Sequence, residues 1–482
     1  MTLTSFNFLI FFVLVFIIYY FALKEKKRLQ NWLLVFASYV FYGLADYKMI
    51  VLLFTATTIF YYLGNLIKSS SQKKSAIFSS LGVVLSIGVL FYFKYFNFFI
   101  HSFSTLFNNL GFNINVITLK ILIPVGVSFF TFKLISYIIE IRRGKIEPCN
   151  NFVDFATYIS FFPTILSGPI DRPNDFIPQI QSRREFKYDT VVDGCRQILW
   201  GVFQKVVIAD NLATVINPIW NDIANQTAST LIFSAILFSI QIYADFSGYS
   251  HIAIGLGKIL GFRIAKNFNY PYFSRNISEF WRNWHITLTS WLTDYVFIPL
   301  NIKFRNFGNF GIILAIIINM SIIGLWHGAS WTYLIFGLFH GFLFIPLILN
   351  KSIFSKKKLK VNRFGLPIIS DLLKILLTFM LVTFSLIIFK ADSLEQAYTY
   401  FYKIVNVSIF SFPHGFGIVK IPMFFSVVLF SLEWLSRKIE YPLYSMELKT
   451  SRIFRYLVYF ALILIIFYFG NFGANQFIYF KF

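Results

Sequence analysis

Acidic residues are scarce in this chain: 21 Asp and Glu stand against 43 Lys and Arg, and charged residues of all kinds make up only 13% of its 482 residues. That fraction is about half the value usual for soluble domains, so water is not the main solvent of the fold. The two cysteines, Cys149 and Cys195, are too few for a disulfide framework and wrongly spaced for a metal site. Gly-rich phosphate loops, paired Cys/His metal spacings and a Gly-x-Ser-x-Gly elbow are also missing, which leaves NTP hydrolysis, zinc chemistry and ordinary serine hydrolysis without support. No polar stretch is long enough to bury a core of its own, so no appended soluble domain is expected. Internal repeats of the kind that mark many transporters are not evident.

What is present is apolar. Hydrophobic residues make up 57% of the chain and aromatics 21%, and the mean hydropathy is +0.67. Apolar runs of roughly spanning length recur throughout, which predicts an all-α, polytopic membrane protein. The net charge of +22 sits in short loops between these runs. That is the positive-inside pattern, with anionic lipid headgroups and not nucleic acid as the partner.

The run at 6–23 is followed, not preceded, by Lys24, Lys26, Lys27 and Arg28, so it reads as a span with an outward N-terminus instead of a signal peptide. Further runs at 32–44, 49–67, 76–100, 121–139, 198–216 and 231–256 continue the alternation, with 101–119 outside because it lacks Lys and Arg. The segment 155–167 is short and meets Gly168-Pro169, so a re-entrant or interfacial element is expected there. A loop rich in Arg172, Arg183, Arg184 and Lys187 follows on the cytoplasmic side. The run at 331–349 ends on Lys351, Lys356, Lys357, Lys358, Lys360 and Arg363, and 372–389, 421–435 and 453–469 complete the chain. About ten or eleven crossings result, with both termini extracytoplasmic.

Intramembrane histidine is costly and usually functional. His285 follows Trp281 and Trp284, and one continuous helix there would place Arg282, His285 and Thr289 on a common polar face. A core histidine bonded to a backbone carbonyl is the alternative. His327 stands in Gly324-Leu325-Trp326-His327-Gly328-Ala329-Ser330-Trp331, where small residues admit a second backbone or an extended ligand. It is the better candidate for a general base, since a neutral imidazole can take the proton of an attacking hydroxyl. His340, between Gly337 and Gly341, is expected to serve helix packing. An unbroken helix from His327 would turn it away from that residue, so the two are not enlisted together. Asp245, in Tyr243-Ala244-Asp245-Phe246-Ser247-Gly248, either orients an imidazole or packs against neighbouring hydroxyls.

The motifs Glu279-Phe280-Trp281-Arg282-Asn283-Trp284-His285 and Gly324-Leu325-Trp326-His327-Gly328-Ala329-Ser330-Trp331 resemble the membrane-bound O-acyltransferase family, and within it the bacterial alginate O-acetyltransferase branch. Pro124-Val125-Gly126-Val127, Phe162-Pro163 with Gly168-Pro169-Ile170, the Asp245 motif and Phe477-Ile478-Tyr479-Phe480 extend the likeness from about residue 121 onward. The chain departs at Asn283, where arginine is frequent, and at Glu140-Ile141-Arg142-Arg143-Gly144, which replaces Asp-Val-Tyr-Arg-Gly.

The resemblance implies one transmembrane domain over 1–482, with N-terminal helices in 1–120, the family core in 121–350 and C-terminal helices in 351–482, built around a central funnel. It implies His327 as the catalytic residue assisted by His285; Asp245, Trp326, Trp281 and Arg282 are candidate supporting residues beside them. No bound cofactor or metal is expected, and the acyl donor, such as acetyl-CoA, is a substrate. The expected activity is O-acetylation of an extracytoplasmic, alginate-like polysaccharide from the bacterial inner membrane, with a separate extracytoplasmic acetyltransferase as partner. Peptidoglycan acetylation and D-alanylation of teichoic acid are alternatives within the family. A polysaccharide-lipid transporter is the alternative of another class.

Overall fold

A computed structural model describes all residues except 113–120, 354, 356–358, 407–408, 445, 447–449, 474–476 and 478–482. Part of the outer segment 101–119, the lysines 356–358 and the end of the Phe477-Ile478-Tyr479-Phe480 motif therefore lie outside the described residues. The described residues form helices and connecting segments without a strand; a lone bridge joins Val361 and Pro367. They group into two compact units, Met1–Cys195 with Ala253–Ala265, and Arg196–Ile252 with Lys266–Phe482.

The first unit contains α1 (Phe6–Ile17), α2 (Lys27–Gly43), α3 (Ile50–Ser69), α4 (Gln72–Leu90), α5 (Phe96–Asn109), α6 (Val127–Arg142), α7 (Phe152–Ser160) and α8 (Pro173–Gln181). The element at 155–167, expected to be too short to cross, is the nine-residue α7, capped by the Asn151 side chain. Arg184 is buried and donates to the Ile180 carbonyl at 2.7 Å and to Asn31 and Tyr19. It is thus a structural brace of this unit and not an exposed cation.

From the first unit the chain continues through α9 (Tyr188–Val202). The second unit then adds α10 (Asp210–Asn221), α11 (Ala228–Ile259) as far as Ile252, α12 (Ile277–Asn283), α13 (Ile286–Leu292), α14 (Ile298–Lys303), α15 (Gly308–His327), α16 (Trp331–Leu349), α17 (Ile369–Lys390), α18 (Leu394–Asn406), α19 (Phe416–Leu435) and α20 (Arg452–Phe469).

Nine helical stretches among the described residues are long and apolar enough to cross a membrane, so the chain is a multi-pass membrane protein. The number falls below the ten or eleven expected because the runs near 6–23, 32–44 and 121–139 form shorter helices, Phe6–Ala22, α2 and α6. Helix α6 starts only after Gly126, whose φ of 76° breaks the run, and nearly all of its residues are buried. The spanning helices differ in their neighbours. Arg452–Phe469 is 6% buried within the protein, whereas Tyr188–Asn221 and Ala228–Ile259 are 72% and 78% buried. The first suits lipid on every side, and the other two form the interior in which polar groups can be paired.

Helices α15 and α16 pack as a hairpin through glycines. A Cβ on Gly324 would stand 2.1 Å from the Tyr333 carbonyl oxygen, and one on Gly337 2.3 Å from that of Met320. Backbone cannot yield as a side chain can, so G324A is expected to cost about 1–3 kcal/mol or more. The control G417A adds its methyl to open space and should leave the thermal midpoint unchanged or raise it. Midpoints measured in detergent for the two variants check this; equal values would remove the hairpin argument.

Candidate functional site

The motif around His285 is not one helix. Helix α12 is capped by Asn276, whose side chain accepts from Glu279 N–H, and it ends at Asn283. Trp284 is extended, and His285 lies in the left-handed region at φ 43°, ψ 52°. The expected common face of Arg282, His285 and Thr289 therefore does not exist. Asn267 stabilises the break by accepting Ile286 N–H on its carbonyl at 2.8 Å and the Thr287 hydroxyl on its side chain at 2.8 Å. Positive φ is uncommon outside glycine, is tolerated better by His than by β-branched residues, and marks functional sites when the surroundings enforce it.

The break turns the fully buried His285 ring inward. Its centroid lies 4.6 Å from Phe246 and 5.4 Å from Trp326, both near-perpendicular. His285 lies outside the nine long apolar helices, and burial pushes its imidazole down to about 3, so it is neutral at cellular pH.

His327 is the last residue of α15. Gly328 is extended, and Ser330 caps α16 by accepting Thr332 N–H, so the chain folds back immediately after the histidine. The imidazole is 3% exposed, 5.0 Å from Trp326 and 5.0 Å from Phe389. Trp326 thus touches both histidine rings. The rings share this indole, but only His327 borders the apolar cavity whose walls include Trp281, Phe336, Leu386 and Phe389. His285 is not among its lining residues.

His340 is, because the reversal at Gly328-Ala329-Ser330 carries α16 back along α15. The signal for this was legible in the Ser330 cap, which announces a new helix. Its partner Ser385 on α17, 2.9 Å from His340 Nε2, had no local signature at all. Trp281 donates its indole N–H to His340 Nδ1 at 3.2 Å. Arg282 points elsewhere, donating to the Ile353 and Ser355 carbonyls at 3.1 and 3.3 Å.

Asp245 forms an ion pair with Lys205 at 2.6 Å, and Lys205 also bonds Asp210 at 2.7 Å. Lys205 lies in the π-helical segment Phe203–Ala209 that joins α9 to α10. The i to i+5 turn of a π-helix brings residues 205 and 210 together, a match that α-helical spacing conceals. Carbonyl groups released by the wider turn find donors: Val206 O accepts from Asn211 Nδ2 at 3.1 Å and from Asn471 N–H at 2.9 Å. Among the described residues no group of three or more His, Cys, Asp or Glu is placed to hold a metal ion.

A buried imidazole at a helix end, bordering an apolar cavity and flanked by a second one across an indole, is suited to proton transfer. Comparison with known proteins gives the class of reaction. The chain is 38% identical over 405 residues to a probable alginate O-acetylase, AlgI, of Pseudomonas aeruginosa, covering 83% of this chain and 74% of the relative. It is 37% identical over 382 residues to the protein of the same name from Azotobacter vinelandii, covering 78% and 72%. A peptidoglycan O-acetyltransferase of Helicobacter pylori is 31% identical over 403 residues, covering 76% and 71%. The match to a family decides against a transporter. Over residues 39–389 the sequence matches the family described as MBOAT, membrane-bound O-acyltransferase, and the chain belongs to that family and is an acyltransferase.

Proposed function

We propose that the protein moves acetyl from a cytoplasmic thioester such as acetyl-CoA across the membrane for O-acetylation of an extracytoplasmic polysaccharide. The observation that carries this reading is His327 at the border of an apolar cavity, at the point where α15 ends and the chain reverses. His327 accepts the proton of the acceptor hydroxyl as its oxygen attacks the acetyl carbonyl carbon. The C–S bond then breaks, and the leaving thiolate takes the proton back from the imidazolium. One O–H and one C–S bond are exchanged for one C–O and one S–H bond. His285, neutral and held edge-on to Trp326, positions that indole beside His327.

Resident relatives named for alginate and for peptidoglycan both carry acetyl to a glycan hydroxyl by their names, and the greater identity to the former favours an alginate-like exopolysaccharide. The protein sits in the bacterial cytoplasmic membrane with its Lys/Arg-rich loops inside and both termini outside. A separate extracytoplasmic acetyltransferase works as its partner, taking the acetyl ester formed beside His327 and exchanging it onto a polymer hydroxyl.

Mass spectrometry of surface glycans from cells with and without the gene tests the reading. Acetyl esters should disappear from exopolysaccharide in its absence. Their loss from peptidoglycan instead moves the acceptor to the wall, and unchanged glycans refute a glycan acceptor.

A further inference from the structure

His340 borders the same cavity as His327, yet it is wired differently. Trp281 Nε1 stands 3.2 Å from His340 Nδ1, His340 Nε2 stands 2.9 Å from Ser385 Oγ, and the Ser385 hydroxyl donates to the Val382 carbonyl at 2.7 Å. An indole N–H can only donate, so Nδ1 accepts and the ring carries its proton on Nε2. The single hydroxyl proton of Ser385 is committed to Val382, so Ser385 Oγ accepts from Nε2. Every link has one possible direction. A second proton on the ring would set N–H against N–H and break the link to Trp281.

All of these groups are buried, Trp281 at 3% exposure and His340 and Ser385 at none. The chain of bonds therefore ties α12, α16 and α17 together and ends on an indole that forms a wall of the cavity. With both ring nitrogens engaged, His340 has no nitrogen to offer a substrate proton.

We infer that His340 is a positioning residue for acyl transfer: by accepting the Trp281 indole N–H it holds that ring in the orientation that shapes the cavity beside His327. This rests on the acetyl-transfer reading above. A residue that only filled space would be indifferent to which of its two bonds survived, whereas a positioning residue depends on the Nδ1 bond.

Two isosteric replacements separate the bonds. H340N puts an amide oxygen where Nδ1 stands and keeps the acceptor for Trp281. H340Q reaches the Nε2 position, keeps the donor to Ser385 and deprives the indole of its acceptor. The measurement is the initial rate at which cells place isotope-labelled acetate on their exopolysaccharide, divided by the amount of full-length protein in the membrane.

H340Q should lose on the order of tenfold to a hundredfold, the scale of a misplaced site wall. H340N should lose less than about fivefold, the value of one neutral hydrogen bond. In a W281F background, H340Q should add nothing further. Equal losses in H340N and H340Q, or losses that multiply in the double variant, would overturn the assignment. Should H340Q fail to accumulate, W281F alone decides: a tenfold loss supports the link, and a parental rate refutes it. H327A run alongside tells the two failures apart, since label persisting in H327A strikes the transfer reading itself.

Discussion

Replacement of His327 by alanine should lower acetyl-ester formation on the order of 10²- to 10⁴-fold, the range for removing a general base. The imidazole sits at the end of α15 and borders an apolar cavity. Alanine there would leave that space without the imidazole proposed to accept the proton. The helix itself should survive, because the cap at Ser330 and the glycine contacts of the hairpin do not involve the ring. Ester content and membrane-fraction protein are measured together. Parental ester content in H327A at parental protein level would remove His327 from the chemistry and leave His285 as the base to be tested.

The second large effect concerns stability. Lys205 is 8% exposed at its side chain and neutralises two buried carboxylates, Asp210 and Asp245. K205M keeps most of the volume but leaves both acids in the interior without their cation. Breaking a buried pair from one side typically costs about 3–5 kcal/mol, so K205M should accumulate poorly and unfold at a much lower temperature in detergent. Adding D245N removes one of the stranded charges and should restore much of the loss. A K205M protein as stable as the parent, or a double variant worse than K205M, would show that the triad is not an electrostatic unit.

Membrane solvent, helical class and both histidine motifs were legible before any coordinates. Composition excludes water as the main solvent, and glycines and tryptophans cluster around His285 and His327 in patterns that carry the family resemblance. The count of crossings was less secure, because hydropathy reads α2 and α6 as spans although they are short, and α6 is almost wholly enclosed by protein. A run of apolar residues is equally suited to lipid and to a protein interior.

What the sequence alone determined is therefore the set of candidates: which side chains are chemically able to move a proton, and that they lie in an apolar chain. Tertiary structure decided their partners. Asp245 went to Lys205 because a π turn, invisible in a pattern of 3.6, aligned residues 205 and 210 beside it. His285 turned toward Trp326 because its backbone adopts a left-handed conformation stabilised by the distant Asn267. His340 joined His327 because the chain reverses at Gly328. Each outcome depends on contacts between residues far apart in the chain, and local periodicity carries no information about those.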